Sequence, residues 1–136
     1  MTHNHPIVPL ITDEDASPRV KAVFDDIRKT RNTDFINNFW RSIADDPAQL
    51  ERTWAEVRDV MAPGAIDALT KELIYVAVSM SNSCEYCIRS HGVGAAAKGA
   101  TPEMMSELRA VVAAATKTNR LAISLQIPVD SAYLGS

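Results

Sequence analysis

Residues 69–108 read LTKELIYVAVSMSNSCEYCIRSHGVGAAAKGATPEMMSEL. The first part of this stretch is the most apolar of the chain, with large apolar side chains at the spacing of helical turns, and it predicts a central, buried helix. A second helix is predicted to begin near Ser83 and to end at Lys98, because Gly99 suits the position just after a helix. Thr101, followed by proline, predicts the start of a third helix. The stretch therefore predicts consecutive helices without a strand.

The flanking sequence carries helical signals of the same kind. The dipeptides Ser17-Pro18 and Asp46-Pro47 each combine a capping residue with a proline that suits the first turn of a helix. A last helix is predicted over about residues 117–126, ahead of a proline. No segment alternates apolar and polar residues convincingly, as a half-buried strand would. We therefore expect an all-α protein with about six or seven helices.

Length and composition narrow the class of protein. A chain of 136 residues fits one domain, which we predict to span residues 1–136, with an extended lead-in over residues 1–16 and a core motif over about 69–108. With 46% apolar and 23% charged residues, it has the composition of a soluble globular protein. A formal net charge of −3, without a dense basic run, argues against nucleic acid as a partner.

The sequence lacks the features of membrane and secreted proteins. Its N-terminus has no charged segment followed by an apolar one, as a secretory signal would. The longest uncharged apolar-rich stretch, from Leu73 to Ser83, is too short to span a bilayer. Two cysteines cannot form the several bridges of a small secreted scaffold. We expect a cytoplasmic protein without a membrane partner, in a reducing compartment where such cysteines are catalytic or metal-binding.

The two cysteines form a C-x-x-C pair, Cys84 and Cys87, which is followed by His91. On a helix these side chains lie on one face, since they are three and four residues apart. With Ser83 as the N-cap, Cys84 would lie in the first turn, where unpaired N–H groups and the helix dipole favour a thiolate. His91 could exchange a proton with the Cys87 sulfur, and we select Glu72 as the carboxylate that orients the imidazole. The pattern predicts a redox-active dithiol.

Other interpretations of the same residues stay open. The cysteines and the histidine could hold zinc, and a tetrahedral site would then take its fourth ligand from Glu72, His3, His5 or another subunit. The two cysteines could also be inert core residues, and Glu72 could be a solvated helix residue. Gly92 and Gly94 predict close helix packing or a local distortion, and they do not form a phosphate loop because no strand precedes them.

Glu72, Cys84, Cys87 and His91 together resemble the E-x11-C-x2-C-x3-H signature of the alkylhydroperoxidase D-like, carboxymuconolactone decarboxylase superfamily. The sequence around them, over about residues 69–108, is also typical of this superfamily. The resemblance implies an all-α, cofactor-free fold that assembles into homo-trimers or homo-hexamers. It also implies that Cys87 is the attacking thiolate, that Cys84 is the resolving thiol, and that His91 and Glu72 form a proton relay, commonly through a water.

The activity implied by the resemblance is that of a thiol-dependent peroxidase or disulfide reductase. The thiolate attacks a peroxide, the resulting sulfenic acid condenses with the second thiol, and an external dithiol reduces the disulfide. In the alkylhydroperoxidase D branch that dithiol is a lipoyl group on an acyltransferase subunit, but this chain has Tyr86 where that branch carries a histidine. The decarboxylase branch usually lacks the cysteine pair. A carboxymuconolactone-decarboxylase-like lyase and a structural zinc-binding oligomer are the alternatives.

Overall fold

The structure, a computed structural model, describes residues 7–135 and contains six α-helices and no β-strand within that range, which confirms the all-α prediction. The helices are α1 (Pro18–Arg31), α2 (Asn38–Ile43), α3 (Pro47–Met61), α4 (Ala68–Ser81), α5 (Glu85–Ala97) and α6 (Pro102–Ser124), followed by a short 3-10 helix (Ser131–Tyr133). The chain forms two compact units, one ending at Ala62 and the other beginning at Pro63. The single domain over residues 1–136 stays a prediction.

Capping side chains begin the two long helices of the first unit, as predicted. Ser17 and Asp46 each accept a hydrogen bond from a backbone N–H group in the first turn, and a proline follows each of them. Asn32 ends α1 in the left-handed conformation, with a φ of 51°. Asparagine tolerates this conformation better than most residues, so the helix stops here.

The hydrophobic core of the first unit is formed by α1, α2 and α3. Phe24, Ile27 and Leu50 are completely buried in it. Trp40 and Trp54 meet edge to face, with ring centroids 5.4 Å apart, which is a favourable geometry for two aromatic rings. These large side chains hold three short or medium-length helices together without any strand.

The described part of the predicted lead-in, residues 7–16, contains no helix. It is tied to the first unit through Asp13, whose carboxylate forms ion pairs with Arg28 (2.6 Å) and Arg41 (2.9 Å). The two guanidinium groups hold the pKa of Asp13 below its usual range. The Ile11 N–H also donates to the Arg41 carbonyl at 3.1 Å.

The most apolar helix, α4, is less buried than predicted. Its buried residues are Glu72, Val76 and Ser79, which form one stripe along the helix. Ile74 and Val78 are about half exposed in this chain (47% and 53%), because α5 and α6 cover the other face. The central helix expected from the sequence is therefore buried along one stripe only in the chain taken by itself.

The joint between α4 and α5 also differs from the prediction. Ser83 is left-handed, with a φ of 57°, and ends α4: its N–H donates to the Met80 carbonyl (3.1 Å) and the Cys84 N–H donates to the Ser79 carbonyl (2.9 Å). Cys84, not Ser83, is the N-cap of α5, and its Sγ accepts the N–H of Cys87 at 3.3 Å. Cys87 therefore occupies the first turn of α5, where Cys84 was expected.

The second unit ends in one long helix. Gly99 follows α5 with a φ of 103°, as predicted, and Thr101 caps the start of α6. The separate last helix predicted over about 117–126 is wrong, because α6 runs through to Ser124. Residues 103–127 contain neither glycine nor proline, so nothing interrupts the helical hydrogen bonds. In the part of the chain that is described, no helix is long and apolar enough to cross a membrane.

Candidate functional site

The cysteine pair lies at the start of α5 as a disulfide. Cys84 and Cys87 are bonded, with their Cα atoms 5.3 Å apart. One sulfur belongs to the cap residue and the other to the first turn, so both are held by backbone that the helix start already fixes. The first turn of a helix, at the positive end of the helix dipole, is the part of a helix that best stabilises a negative sulfur once the bond is reduced.

A buried carboxylate faces α5 from the neighbouring helix. Glu72 of α4 is only 7% exposed. Its Oε2 accepts a hydrogen bond from His91 Nδ1 (2.7 Å), and its Oε1 accepts one from Lys98 Nζ (2.9 Å). The structure thus brings Glu72 and His91 together as the sequence predicted, and it adds a cation on the second carboxylate oxygen.

The charge state of Glu72 follows from this environment. Burial is the largest single effect on the Glu72 pKa, and it raises that pKa. The hydrogen bonds and charges of His91 and Lys98 act in the opposite direction, and together they lower the pKa by more than burial raises it. The net result is a pKa below the ordinary glutamate value. Glu72 is therefore an ionised, buried carboxylate at neutral pH and not a solvated helix residue.

His91 is fixed in both its hydrogen bonding and its ring plane. Because the ionised Glu72 can only accept, a proton lies on Nδ1, and in the neutral form of the ring Nε2 is the acceptor. The Tyr75 ring stacks on the imidazole with centroids 3.6 Å apart and planes inclined by 20°. A histidine with a free Nε2 lone pair, one helical turn after Cys87, is suited to accept a proton.

Gly94 makes room for the carboxylate. A Cβ atom built there would lie 3.0 Å from Glu72 Oε1 and 3.2 Å from Oε2, closer than ordinary contact. The predicted close helix packing is therefore confirmed at Gly94. At Gly92 a Cβ would meet nothing within 4 Å, so the chain by itself gives no packing reason for that glycine.

The zinc interpretation receives no support from the geometry. Within residues 7–135, no group of three or more histidine, cysteine or acidic side chains is arranged to hold a metal ion. His3 and His5, two of the suggested fourth ligands, lie outside the described residues.

This arrangement can be compared with known proteins. The sequence model of the carboxymuconolactone decarboxylase family matches residues 48–128, more than half of the chain. The chain belongs to the carboxymuconolactone decarboxylase family. The match includes all four residues selected from the sequence motif.

Two individual proteins resemble this family member. A crystal structure described as the alkylhydroperoxidase AhpD core from Rhodospirillum rubrum is 51% identical, with a TM-score of 0.93 over 96% of this chain and 98% of that one. A Paracoccus denitrificans protein described as uncharacterized protein 4 in the cox locus is 48% identical over 48 residues. That stretch covers 35% of this chain and 43% of the Paracoccus protein. The fold is therefore that of the AhpD core.

Two residues that contact the predicted site were missed by the sequence reasoning for this family member. Lys98 lies seven residues after His91, which places both on one face of α5, but it was used only to mark the end of the helix. Tyr75 lies three residues after Glu72, on the same side of α4. Helical spacing from the two predicted relay residues could have found both.

Proposed function

We propose that the protein is a thiol-dependent peroxidase, in which Cys87 is the nucleophile, Cys84 the resolving thiol, and Glu72 with His91 the proton relay. The observation that carries the proposal is the Cys84–Cys87 disulfide at the start of the helix that also bears His91. The buried Glu72–His91 pair supports it, because a nucleophile needs a base that is itself oriented by a third group.

The reaction follows from these groups. In the reduced protein, His91 accepts the proton of the Cys87 thiol while Glu72 keeps the Nδ1–H bond. The thiolate attacks one peroxide oxygen, the S–O bond forms as the O–O bond breaks, and the leaving alkoxide takes the proton from His91. The Cys84 thiol then attacks the sulfenic sulfur, which forms the disulfide and releases water. An external dithiol reduces this disulfide by two exchange steps and is itself oxidised.

The substrate and the reductant are proposed by class. A peroxide, or a disulfide that exchanges with the same thiolate, is the oxidant, and a dithiol such as a lipoyl group is the reductant. This cycle suits a reducing compartment such as the cytoplasm, where thiols are kept available. The described residues supply all the reacting groups, so the proposed cycle takes no cofactor.

The test compares the two cysteines. Peroxide consumption is measured with an organic hydroperoxide and dihydrolipoamide for the wild type, Cys87→Ser and Cys84→Ser. We expect Cys87→Ser to lose turnover completely. Cys84→Ser keeps a capping side chain on α5, and should complete one attack and stop at a Cys87 sulfenic acid that mass spectrometry detects. Equal rates for the wild type and Cys87→Ser would contradict the proposal.

A second candidate is a lactone-acid lyase. The observation in its favour is the match to a family named for carboxymuconolactone decarboxylase. A variant with both Cys84 and Cys87 replaced by serine separates the two candidates. Full turnover of a lactone acid by this variant favours the lyase, whereas loss of peroxide turnover alone favours the peroxidase.

We also propose that the chain assembles with copies of itself, as a homo-trimer or homo-hexamer. The support is α6, which has no buried residue over its 23 positions in this chain although it carries many apolar side chains. Val111, Leu121 and Ile123 are among those exposed. Light scattering on the purified protein tests the assembly, and a monomer at micromolar concentration would contradict it.

A further inference from the structure

The lysine that ends α5 reaches back to the centre of the candidate site. Lys98 is the C-cap residue of α5, and its Nζ donates to Glu72 Oε1 at 2.9 Å. Its side chain is 40% exposed, whereas the carboxylate it binds is buried. The Lys98 side chain is therefore partly in solvent, and its ammonium group contacts the buried carboxylate of Glu72.

A carboxylate in this position depends on its partners. An ionised carboxylate taken out of water is costly unless its oxygens are hydrogen-bonded and its charge is compensated. Here each oxygen of Glu72 has one partner, His91 on one side and Lys98 on the other. In the part of the chain that the structure describes, these two are the side chains that lower the pKa of Glu72.

We propose that Lys98 is a positioning residue of the redox site, which holds the Glu72 carboxylate on His91 Nδ1 so that the other ring nitrogen, Nε2, is kept as the acceptor of the Cys87 proton. The inference rests on the proposed dithiol function. It goes beyond the four-residue motif, since Lys98 touches neither sulfur and acts through Glu72.

Lys98 supplies the charge that the buried carboxylate needs. Its positive charge offsets the negative charge of Glu72 at a contact of 2.9 Å. Without Lys98, one oxygen of the buried carboxylate loses its partner and its negative charge is no longer compensated, so Glu72 is held less firmly on His91. The loss of positive charge disfavours a thiolate at Cys87, and a base whose orienting carboxylate is held less firmly accepts the Cys87 proton less well, so we expect the pH at which Cys87 becomes reactive to rise.

The neighbouring groups do not change the direction in which the loss of Lys98 should shift the reactivity of Cys87. On α5 the exposed Glu85 and Arg89 form an ion pair with each other and remain present in every variant. Tyr75 stacks on the His91 ring from α4 and is the same in every variant. A substitution of Lys98 by an uncharged residue therefore alters the charge at position 98 and leaves these neighbours in place.

The experiment measures Cys87 alkylation by iodoacetamide in the fully reduced protein as a function of pH, with the modified sulfur assigned by mass spectrometry. For Lys98→Met and Lys98→Gln we expect the midpoint of the profile to rise by about 0.5–1 pH unit, since Lys98 is partly exposed and solvent screens its charge. Lys98→Arg keeps the charge and should restore the wild-type midpoint. Lys117→Met, an exposed lysine of α6, is the matched control and should leave it unchanged.

The outcomes are separable from those of the proposed function. An unchanged or lowered midpoint in both Lys98→Met and Lys98→Gln overturns the role of Lys98, even if Cys87→Ser abolishes peroxide turnover. An equal rise in Lys98→Arg also overturns it, because a charge-independent change would then explain the effect. Lys98→Gln can still donate a hydrogen bond to Glu72, so it provides a folded uncharged variant if Lys98→Met does not fold.

Discussion

Replacing Gly94 by alanine tests whether Glu72 is confined at the site. The new Cβ would lie 3.0 Å from Oε1, 3.1 Å from Cδ and 3.2 Å from Oε2 of the carboxylate. The carboxylate cannot retreat freely, because hydrogen bonds of 2.7 Å and 2.9 Å hold its two oxygens on His91 and Lys98. We expect the substitution to push Glu72 away from its partners and to strain both bonds.

The magnitude follows from a matched pair of substitutions on one helix. Gly92 lies two residues earlier, and a Cβ there meets nothing within 4 Å. Alanine is favoured over glycine inside a helix by about 1 kcal/mol, so Gly92→Ala should stabilise the protein by about that amount. Gly94→Ala has the same gain but adds an overpacking cost of about 1–3 kcal/mol. Gly94→Ala should therefore be less stable than Gly92→Ala by about 1–3 kcal/mol.

The assay is urea unfolding of the oxidised protein followed by circular dichroism, with the free energy of unfolding extrapolated to water. A second measurement, alkylation of Cys87 in the reduced protein at neutral pH, reports on the relay. We expect Gly94→Ala to slow alkylation and Gly92→Ala to leave it unchanged. If the two variants are equally stable and react at the same rate, the carboxylate is not confined and the reasoning is refuted.

Three further predictions concern stability. Ser83→Gly should raise the free energy of unfolding by about 0.5–1 kcal/mol, because glycine adopts the left-handed joint without the strain of a side chain; an unchanged urea midpoint would count against this. The stability that Glu72 contributes through its lowered pKa should be complete above the ordinary glutamate pKa of about 4.3 and should disappear as the pH falls through the lowered value. Urea unfolding in an acidic pH series should therefore show a shallower slope for Glu72→Gln, and identical slopes would contradict it. Leu50→Ala, in the core of the first unit, should cost about 2–5 kcal/mol in the same assay, and a loss well below that range would mean that the core collapses around the gap.

Local chemistry made much of the fold predictable. The starts of α1, α3 and α6 follow from a capping side chain and a proline, and these signals act within one turn. The joint at Ser83 and Cys84 was not predictable in the same way. Serine has no special preference for the left-handed conformation and cysteine is not among the preferred caps, so neither residue marks its position.

The candidate site, like the fold, was predictable from the sequence only in part. Glu72 and His91 could be selected because their spacing from the cysteines matches a known pattern. Helical spacing places Lys98 on the same face of α5 as His91, but the contact of Lys98 with Glu72 and the close approach of Gly94 to it depend on how α4 packs against α5. The exposure of Ile74 and Val78 depends on the same packing, since apolar composition does not say which face of α4 a neighbouring helix covers.

The disulfide from the cap of α5 to its first turn closes a very short loop, since the two cysteines are only three residues apart. A cross-link stabilises a protein mainly by removing freedom from the unfolded chain, and a loop this short removes only about 2 kcal/mol, against about 4.7 kcal/mol for a loop of 100 residues. Most of the folding free energy is therefore independent of the redox state. In the proposed cycle the bond can therefore open and close while α5, whose start carries both sulfurs, stays folded.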